Sequence, residues 1–414
     1  VSLELQQASV AIADAPIPYN VASRATHGNP ADARAVIAAA LIASTIGALF
    51  YNLLPLYLGG VADARNLDNS RVGLLGTAFF FGFNVAGFSA VLWVRRWNWR
   101  VVCLSVLPLA LCTLFASVAA PSYPTLLVAT ACGGLLFGSL FTVGSVIIGD
   151  TTEAARWYGV KTACESIAGS VLLVILPLSL TPRFGFLGTV LGMSCLALLL
   201  APALFFLPAT WTKGELSGLA IGAAGGRRTS VAAVGAALSS LLLFFTGNSA
   251  IWAFAERIGH QAGYSAAQIG PLLAVTLICG VAGSFAVAAA GDRFGATRLF
   301  AAATGLLILG LACLGGIGSF PGYASGNCLC MIGWSAGTPL IMAKIARFDA
   351  DGRFVALAVP AIGLGAMIGP GVAGWLLEVS TLATVLTASG VTILVSVGAL
   401  LIADMGARAR RGMA

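Results

Sequence analysis

Charge is the scarcest property of this chain. Only 9% of its 414 residues are Asp, Glu, Lys or Arg, against about 25% in a soluble globular domain, so no ordinary water-facing surface can be built from it. A soluble protein with buried core helices would still need polar helical faces, and the long apolar runs here have none. Histidine is limited to two residues, His27 and His260, and no metal-ligand cluster is present, so no metal or other cofactor is expected. The nine cysteines, at 103, 112, 132, 164, 195, 279, 313, 328 and 330, show no paired spacing and fall in apolar stretches where a thiol simply packs. No glycine loop for a nucleotide and no nucleophile beside a base stands at usable spacing, so an enzyme is not expected. Short alternating segments of the kind that close a barrel are missing as well.

What remains is a series of uncharged runs: 35–62, 72–94, 101–149, 166–182, 184–212, 229–255, 258–291, 299–343, 354–377 and 379–403. A membrane span needs about 20 residues at about 1.5 Å rise each, so the two longest runs must each hold two helices. Pro121-Ser122-Tyr123-Pro124 divides one, and Ser319-Phe320-Pro321-Gly322-Tyr323 divides the other. The predicted spans are therefore twelve: 35–59, 72–94, 101–120, 125–148, 161–180, 186–208, 231–255, 266–290, 299–318, 323–345, 354–377 and 382–403. The solvent this composition fits is a lipid bilayer.

An even number of crossings puts both ends of the chain on one side. That side carries eighteen of the Lys and Arg residues, and the other carries only Arg65, Arg71, Arg183 and Arg257, so the positive-inside rule places both termini in the cytoplasm. Residues 1–33 lack the basic start, short apolar centre and cleavage site of a signal peptide and are expected to stay inside as a tail. The net charge of +7 is spread over short turns and forms no stripe for a nucleic-acid backbone, so no nucleic-acid partner is expected. Its uses are topology and contact with anionic lipid.

The chain also repeats itself. Arg95 and Arg100 recur as Arg293 and Arg298, Pro121-Ser122-Tyr123 as Pro321-Gly322-Tyr323, and Arg156 as Arg353, all at an offset of 197 to 200 residues. A duplicated six-helix unit leaves such a trace. The resulting division is a tail at 1–33, a six-helix bundle at 34–208, a glycine-rich cytoplasmic linker at 209–230, a second bundle at 231–404 and a short tail at 405–414. The fold class is an all-α membrane protein of twelve transmembrane helices in two pseudo-symmetric six-helix bundles.

The turn Gly291-Asp292-Arg293-Phe294-Gly295-Ala296-Thr297-Arg298 between spans eight and nine resembles the charged, glycine-containing turn of the major facilitator superfamily of secondary transporters. The matching turn between spans two and three reads Val94-Arg95-Arg96-Trp97-Asn98-Trp99-Arg100, with Val94 in place of the acid and Trp97 in place of the glycine. A gating role for Asp292, Arg293, Arg298, Arg95 and Arg100 is what the resemblance implies. Physically, such charges pair with free groups at neighbouring helix ends in one conformation and part in the other. Gly365 to Gly374 in span eleven looks like the glycine and proline pattern that export members carry in span five, but it lies in the other half and does not argue for export.

Glu165 is the acid that falls inside a predicted span, about 6 Å deep by helix rise from the cytoplasmic end near Lys161, in the inner half. A carboxylate there faces protein or water, because lipid exposure is costly. It carries a proton during transport, stands as the fixed partner of Lys161 one turn earlier, or binds a cationic substrate directly. Glu256 and Arg257 close span seven as an outer gate or, preferably, as a solvated helix end. Asp150, Glu153 and Arg156 are read as one salt-bridge cluster. The resemblance implies a cavity lined mainly by spans one, four, seven and ten, and the residues able to face it are Tyr51, Asn52, Asn84, Thr142, Asn248, Trp252 and Trp334. Each amide needs a neighbouring helix, a water or a ligand.

No arginine lies in mid-span to grip a dense anion, whereas aromatics are plentiful. These features predict a proton-coupled transporter of a small organic, aromatic or amphipathic solute working by alternating access. Symport uptake is preferred. Proton-antiport export, and a uniporter or channel without proton coupling, stay open as alternatives. A monomer in a bacterial inner membrane is the expected form.

Overall fold

The computed structural model describes residues 30–209, 231–290, 294–316, 319–348 and 357–412. Expectations placed on the tail at 1–29, on the linker at 210–230 and on Asp292 and Arg293 lie outside the described residues.

Twelve helices are long and apolar enough to cross a membrane. They are α1 (Arg34–Asn52, resuming as Leu54–Arg65), α2 (Asn69–Trp93), α3 (Trp99–Ala119), α4 (Tyr123–Gly149), α5 (Ala154–Leu178) and α6 (Phe186–Leu200, tightening into a 3-10 turn at Ala201–Phe206). The second half comprises α7 (Val231–Gln261), α8 (Ala266–Ala290), α9 (Ala296–Gly315), α10 (Phe320–Phe348), α11 (Ala358–Val379) and α12 (Leu382–Gly412). Helices are the spanning form an open chain can adopt in lipid, because they satisfy their own backbone groups. Their exposed ends are capped from the sequence: Asp68 accepts from the Arg71 amide at 2.7 Å, and Asn98 accepts from the Val101 amide at 3.2 Å. Arg65 does the converse at a C-terminus, donating to the carbonyls of Val118 and Ala120 at the end of α3 at 2.6 and 2.5 Å.

Several helices run past their predicted ends. The fifth begins at Ala154, the seventh continues to Gln261 and the twelfth to Gly412, because the first charged residue marks the edge of the hydrocarbon and not the end of the helix. Two readings change as a result. Lys161 sits about 10 Å inside α5, and Glu165 is joined by Asp63, Glu256, Glu378 and Asp404 as acids within helices. The first helix is also broken, at Leu53, where Pro55 enters at the first turn of the continuation; a proline there has no amide to give to the preceding turn.

The two halves pack alike. In the first, α4 lies against α1, α2 and α3, and in the second α10 lies against α7, α8 and α9. Between halves, α2 packs on α11 and α5 on α8, two contacts that exchange under the same pseudo-twofold relation, and the continuation of α1 meets α7. Inside the halves aromatic rings fill the core. Phe50 touches Tyr57 and Phe79 at 4.5 Å between centroids, and Phe244 and Phe300 lie 5.6 Å apart.

Take as terminal end the end from which α1 starts; the far end is the opposite one. At the far end the halves are joined. Gly73 of α2 meets Gly374 of α11 so closely that a Cβ on Gly73 would stand 2.9 Å from the Gly374 Cα. Asn69 accepts from Arg257 Nε at 2.6 Å and gives its backbone amide to Glu378 at 3.1 Å. At the terminal end α5 and α8 part around a cavity of about 490 Å³, lined by Arg156, Tyr158, Thr162, Val281, Ser284 and Phe285 among others.

Close packing within a half yields a stability test. A Cβ on Gly47 of α1 would lie 2.7 Å from the Phe137 carbonyl oxygen of α4, whereas one on Gly87 would meet nothing within 4 Å. Gly47→Val is expected to cost about 1–3 kcal/mol as overpacking, lowering the melting temperature in detergent, with Gly87→Val close to unchanged. Equal melting of the two variants would contradict the α1 to α4 contact.

Candidate functional site

The break in α1 brings two polar side chains to α5. Asn52, the last residue before the break, donates to the Glu165 backbone carbonyl at 2.9 Å, and Ser44, about two turns earlier, donates to Glu165 Oε1. The same oxygen is 2.8 Å from Lys161 Nζ, so the fixed pairing expected one turn apart on α5 is formed. Lys161 also sits over the Phe141 ring of α4, 3.8 Å from its centroid, a cation–π contact. The Lys161 and Glu165 side chains are 6% and 11% exposed. Such a pair pays heavily in lost hydration, and removing one partner leaves an uncompensated charge worth about 3–5 kcal/mol. Tyr51 stands beside this pair on α1, with its ring 6.3 Å from that of Phe80.

A second cluster lies in the other half. Asn248 and Trp252 of α7, Trp334 and Asn327 of α10 and Thr276 of α8 surround a cavity of about 20 Å³. That is room for one water. Asn248 and Asn327 each donate to a carbonyl of their own preceding turn, at 2.7 and 2.9 Å. An amide has two donors and an acceptor, so each retains capacity for another partner. Gly169 of α5 stands between the halves, where a Cβ would meet Asn52 of the first cluster on one side and Leu277 of α8, the residue after Thr276, on the other.

Not every expected cavity residue belongs to these clusters. Asn84 spends its amide on the Gly363 carbonyl of α11 at 2.6 Å, which is a cross-half bond. Thr142 donates to Gly138 of its own helix. Among the expected gate residues, Arg257 holds Asn69, while Arg95 forms a two-pronged pair with Asp150 at 2.6 and 2.8 Å. The expected three-residue cluster is thereby corrected: Asp150 goes to Arg95, and Glu153 pairs with Arg156 at 2.7 Å, because Arg95 reaches the end of α4 from the preceding turn. Arg100 donates to the Leu207 carbonyl at 2.8 Å. Arg298 is exposed in the first turn of α9.

Glu256 requires a second correction. It is 6% exposed rather than solvated, bridges to His260 at 2.9 Å and lies against Gly59 of the α1 continuation, where any Cβ would overlap its carboxylate. His260 thus lies in the last turn of α7.

Sequence reasoning missed Ser44, Thr276, Asn327 and the buried pair of Lys344 with Asp404, which Thr297 bridges. Asn327 carried the same signal as the asparagines that were chosen, an amide within an uncharged run. Nothing in the sequence connects α10 to α12 at Lys344 and Asp404. Among the described residues no group of three or more His, Cys, Asp or Glu is placed to hold a metal ion.

No protein-family model matches the sequence, and no curated protein matches it significantly. Solved structures do match the fold. The nucleoside transporter NupG aligns over 90% of this chain and 99% of its own with a TM-score of 0.68 at 11% identity. A D-xylose-proton symporter aligns over 90% and 96% with a TM-score of 0.66 at 15% identity. The human organic anion transporter MFSD10 aligns over 90% and 100% with a TM-score of 0.61 at 19% identity. What these identities share with the chain is architecture, two six-helix bundles facing each other across α2 with α11 and α5 with α8: the chain has the fold of the major facilitator superfamily of transporters.

Proposed function

We propose that this chain is a proton-coupled secondary transporter of a small organic solute that works by alternating access, with its terminal end in the cytoplasm. The observation that carries the reading is Glu165, a carboxylate about 16 Å along α5 and 9% exposed, at the junction of α1, α4 and α5. An acid at that depth is costly unless it serves transport or a fixed pair. The orientation rests on the basic residues of the terminal-end turns. In that orientation the far end is the outer face, sealed, and the parted α5 and α8 open inward.

Alternating access then has identifiable parts. The solute site lies between the Glu165 cluster of the first half and the Asn248, Trp252 and Trp334 cluster of the second. Arg257 with Asn69, and Glu256 against Gly59, form the outer gate. Arg95 with Asp150 fixes the inner end of the first half. The fold's solved relatives include a D-xylose-proton symporter and an organic anion transporter, so the architecture serves proton coupling and solutes of different charge. Uptake by symport is the preferred direction, and export by antiport uses the same residues.

Proton coupling is tested in vesicles containing trapped pyranine, with a panel of nucleosides, sugars, organic acids and aromatic amines added outside. Wild-type protein is expected to show solute-dependent proton movement. Glu165→Gln is expected to reduce it by about tenfold or more, the loss of a 1.4 kcal/mol or larger coupling, while keeping solute counterflow. Proton movement unchanged in Glu165→Gln would leave Lys161 and Glu165 as a static pair and the protein a facilitative carrier.

The gate is tested through Cys328, whose Sγ is 3.8 Å from Thr276 Oγ1 beside the second cluster. In a variant keeping that cysteine alone, Arg257→Ala is expected to speed its labelling from the outer face by an impermeant maleimide about tenfold, as a 1.4 kcal/mol shift toward the open gate gives. Unchanged labelling would remove Arg257 from the gate.

A further inference from the structure

We infer that Lys161 is the binding group for an anionic solute and that Glu165 is its built-in stand-in, so that the site takes one organic monoanion together with one proton. The inference rests on the proton-coupled reading and adds the class of solute.

Two lysines are buried among the described residues, Lys161 and Lys344, and they are held differently. Lys344 of α10 is fixed by Asp404 of α12 and Thr297 of α9 at once, three helices of one half. Lys161 has a single acid, on its own helix, and the face of Phe141. An ammonium has three donors. One goes to Glu165 Oε1 and the ring face takes a share, which leaves capacity for another acceptor. Lys161 is also placed for traffic. Tyr158, Gly159, Val160 and Thr162, its immediate neighbours on α5, line the cavity between α5 and α8, so a solute passing there travels at the level of Lys161.

Charge balance selects the solute. At rest the pair is neutral. Protonating Glu165 alone strands a buried cation, and adding an anion alone leaves a net negative charge; either state carries the cost of an unpaired buried ion. Adding a proton and a monoanion together restores neutrality, since the proton goes to the Glu165 carboxylate and the anion takes its place on Lys161. Both existing contacts of the carboxylate fall on Oε1, so a proton on Oε2 removes the charge without displacing either donor. A dianion does not balance. The aromatic groups beside the pair, Phe141 under Lys161 and Tyr51 near Glu165, suit an apolar body on the solute. The fitting class is an aromatic or apolar monocarboxylate. The titratable groups nearest the pair are Tyr51 on α1 and Cys164 on α5; α8 presents Ala274 and Leu277 there and α4 presents Phe141.

Benzoate is the probe, with benzamide as the neutral control, and the readout is the rise in melting temperature of purified full-length protein in detergent. For wild type, benzoate is expected to bind about tenfold more tightly at about pH 5.5 than at about pH 8, because it binds with a proton. Glu165→Gln, already neutral, is expected to bind benzoate tightly at both. Lys161→Gln and the double variant Lys161→Gln/Glu165→Gln are expected to show no benzoate response, and benzamide none in any protein. The double variant carries no buried charge and guards against a folding defect in either single one. Failure of Glu165→Gln to bind benzoate, an undiminished response in the double variant, or equal wild-type binding at both pH values overturns the inference. Proton movement that survives in Glu165→Gln overturns the coupling reading instead, so the two failures are told apart.

Discussion

A charge placed inside lipid-embedded protein must meet its counter-charge there, and this requirement organises the chain more than any other. The composition leaves few charges to place, and among the described residues the buried ones are paired: Lys161 with Glu165, Lys344 with Asp404, and Glu256 with His260. Breaking a buried pair such as Lys161 with Glu165 costs about 3–5 kcal/mol, an appreciable part of any domain's stability. The pairs therefore work as rivets.

Glycine sets the distances at which the rods meet. Gly134 of α4 faces the Phe79 carbonyl of α2, and Gly47 of α1 faces the α4 backbone, so that helices touch main chain to main chain. In lipid this close approach replaces the hydrophobic drive that holds soluble helices together. The aromatic rings then fill the wider spaces, with Phe50 at the centre of Tyr57, Phe79 and Phe137. Rigid halves follow from glycine contact on one side and ring packing on the other.

The sequence made the spans legible because an uncharged run of span length has few other uses, and all twelve are helices. Helix ends were less legible, since α5, α7 and α12 continue into the charged zone, where hydropathy falls but backbone hydrogen bonding does not. Asn248, Trp252 and Trp334 do converge on one small cavity. Partnership was not readable: Asn84 reaches Gly363 across 279 residues, and Lys344 meets Asp404 across 60. No periodicity encodes such pairs, because they depend on how helices distant in the chain pack together in space. Arg95 with Asp150 was misread for the same reason, as nearness along the chain favoured Arg156.

The placement of strong and weak bonds explains how such a molecule can move. Among the described residues every ion pair lies within one half: Arg71 with Asp68, Arg95 with Asp150, Arg156 with Glu153, Lys161 with Glu165, His260 with Glu256, and Lys344 with Asp404. Side chains that cross between halves bind mostly to backbone carbonyls, as Thr77 does to Met367, Asn84 to Gly363 and Ser170 to Ala274. A typical hydrogen bond of this kind contributes about 0.5–1.5 kcal/mol, and another carbonyl one turn along can replace it. Arg257 follows the same rule, gripping a neutral amide and a carbonyl across the interface instead of an acid. The interface can therefore be remade in small steps while each half keeps its costly pairs intact, which is the mechanical condition for two bundles to rock against each other as solid bodies.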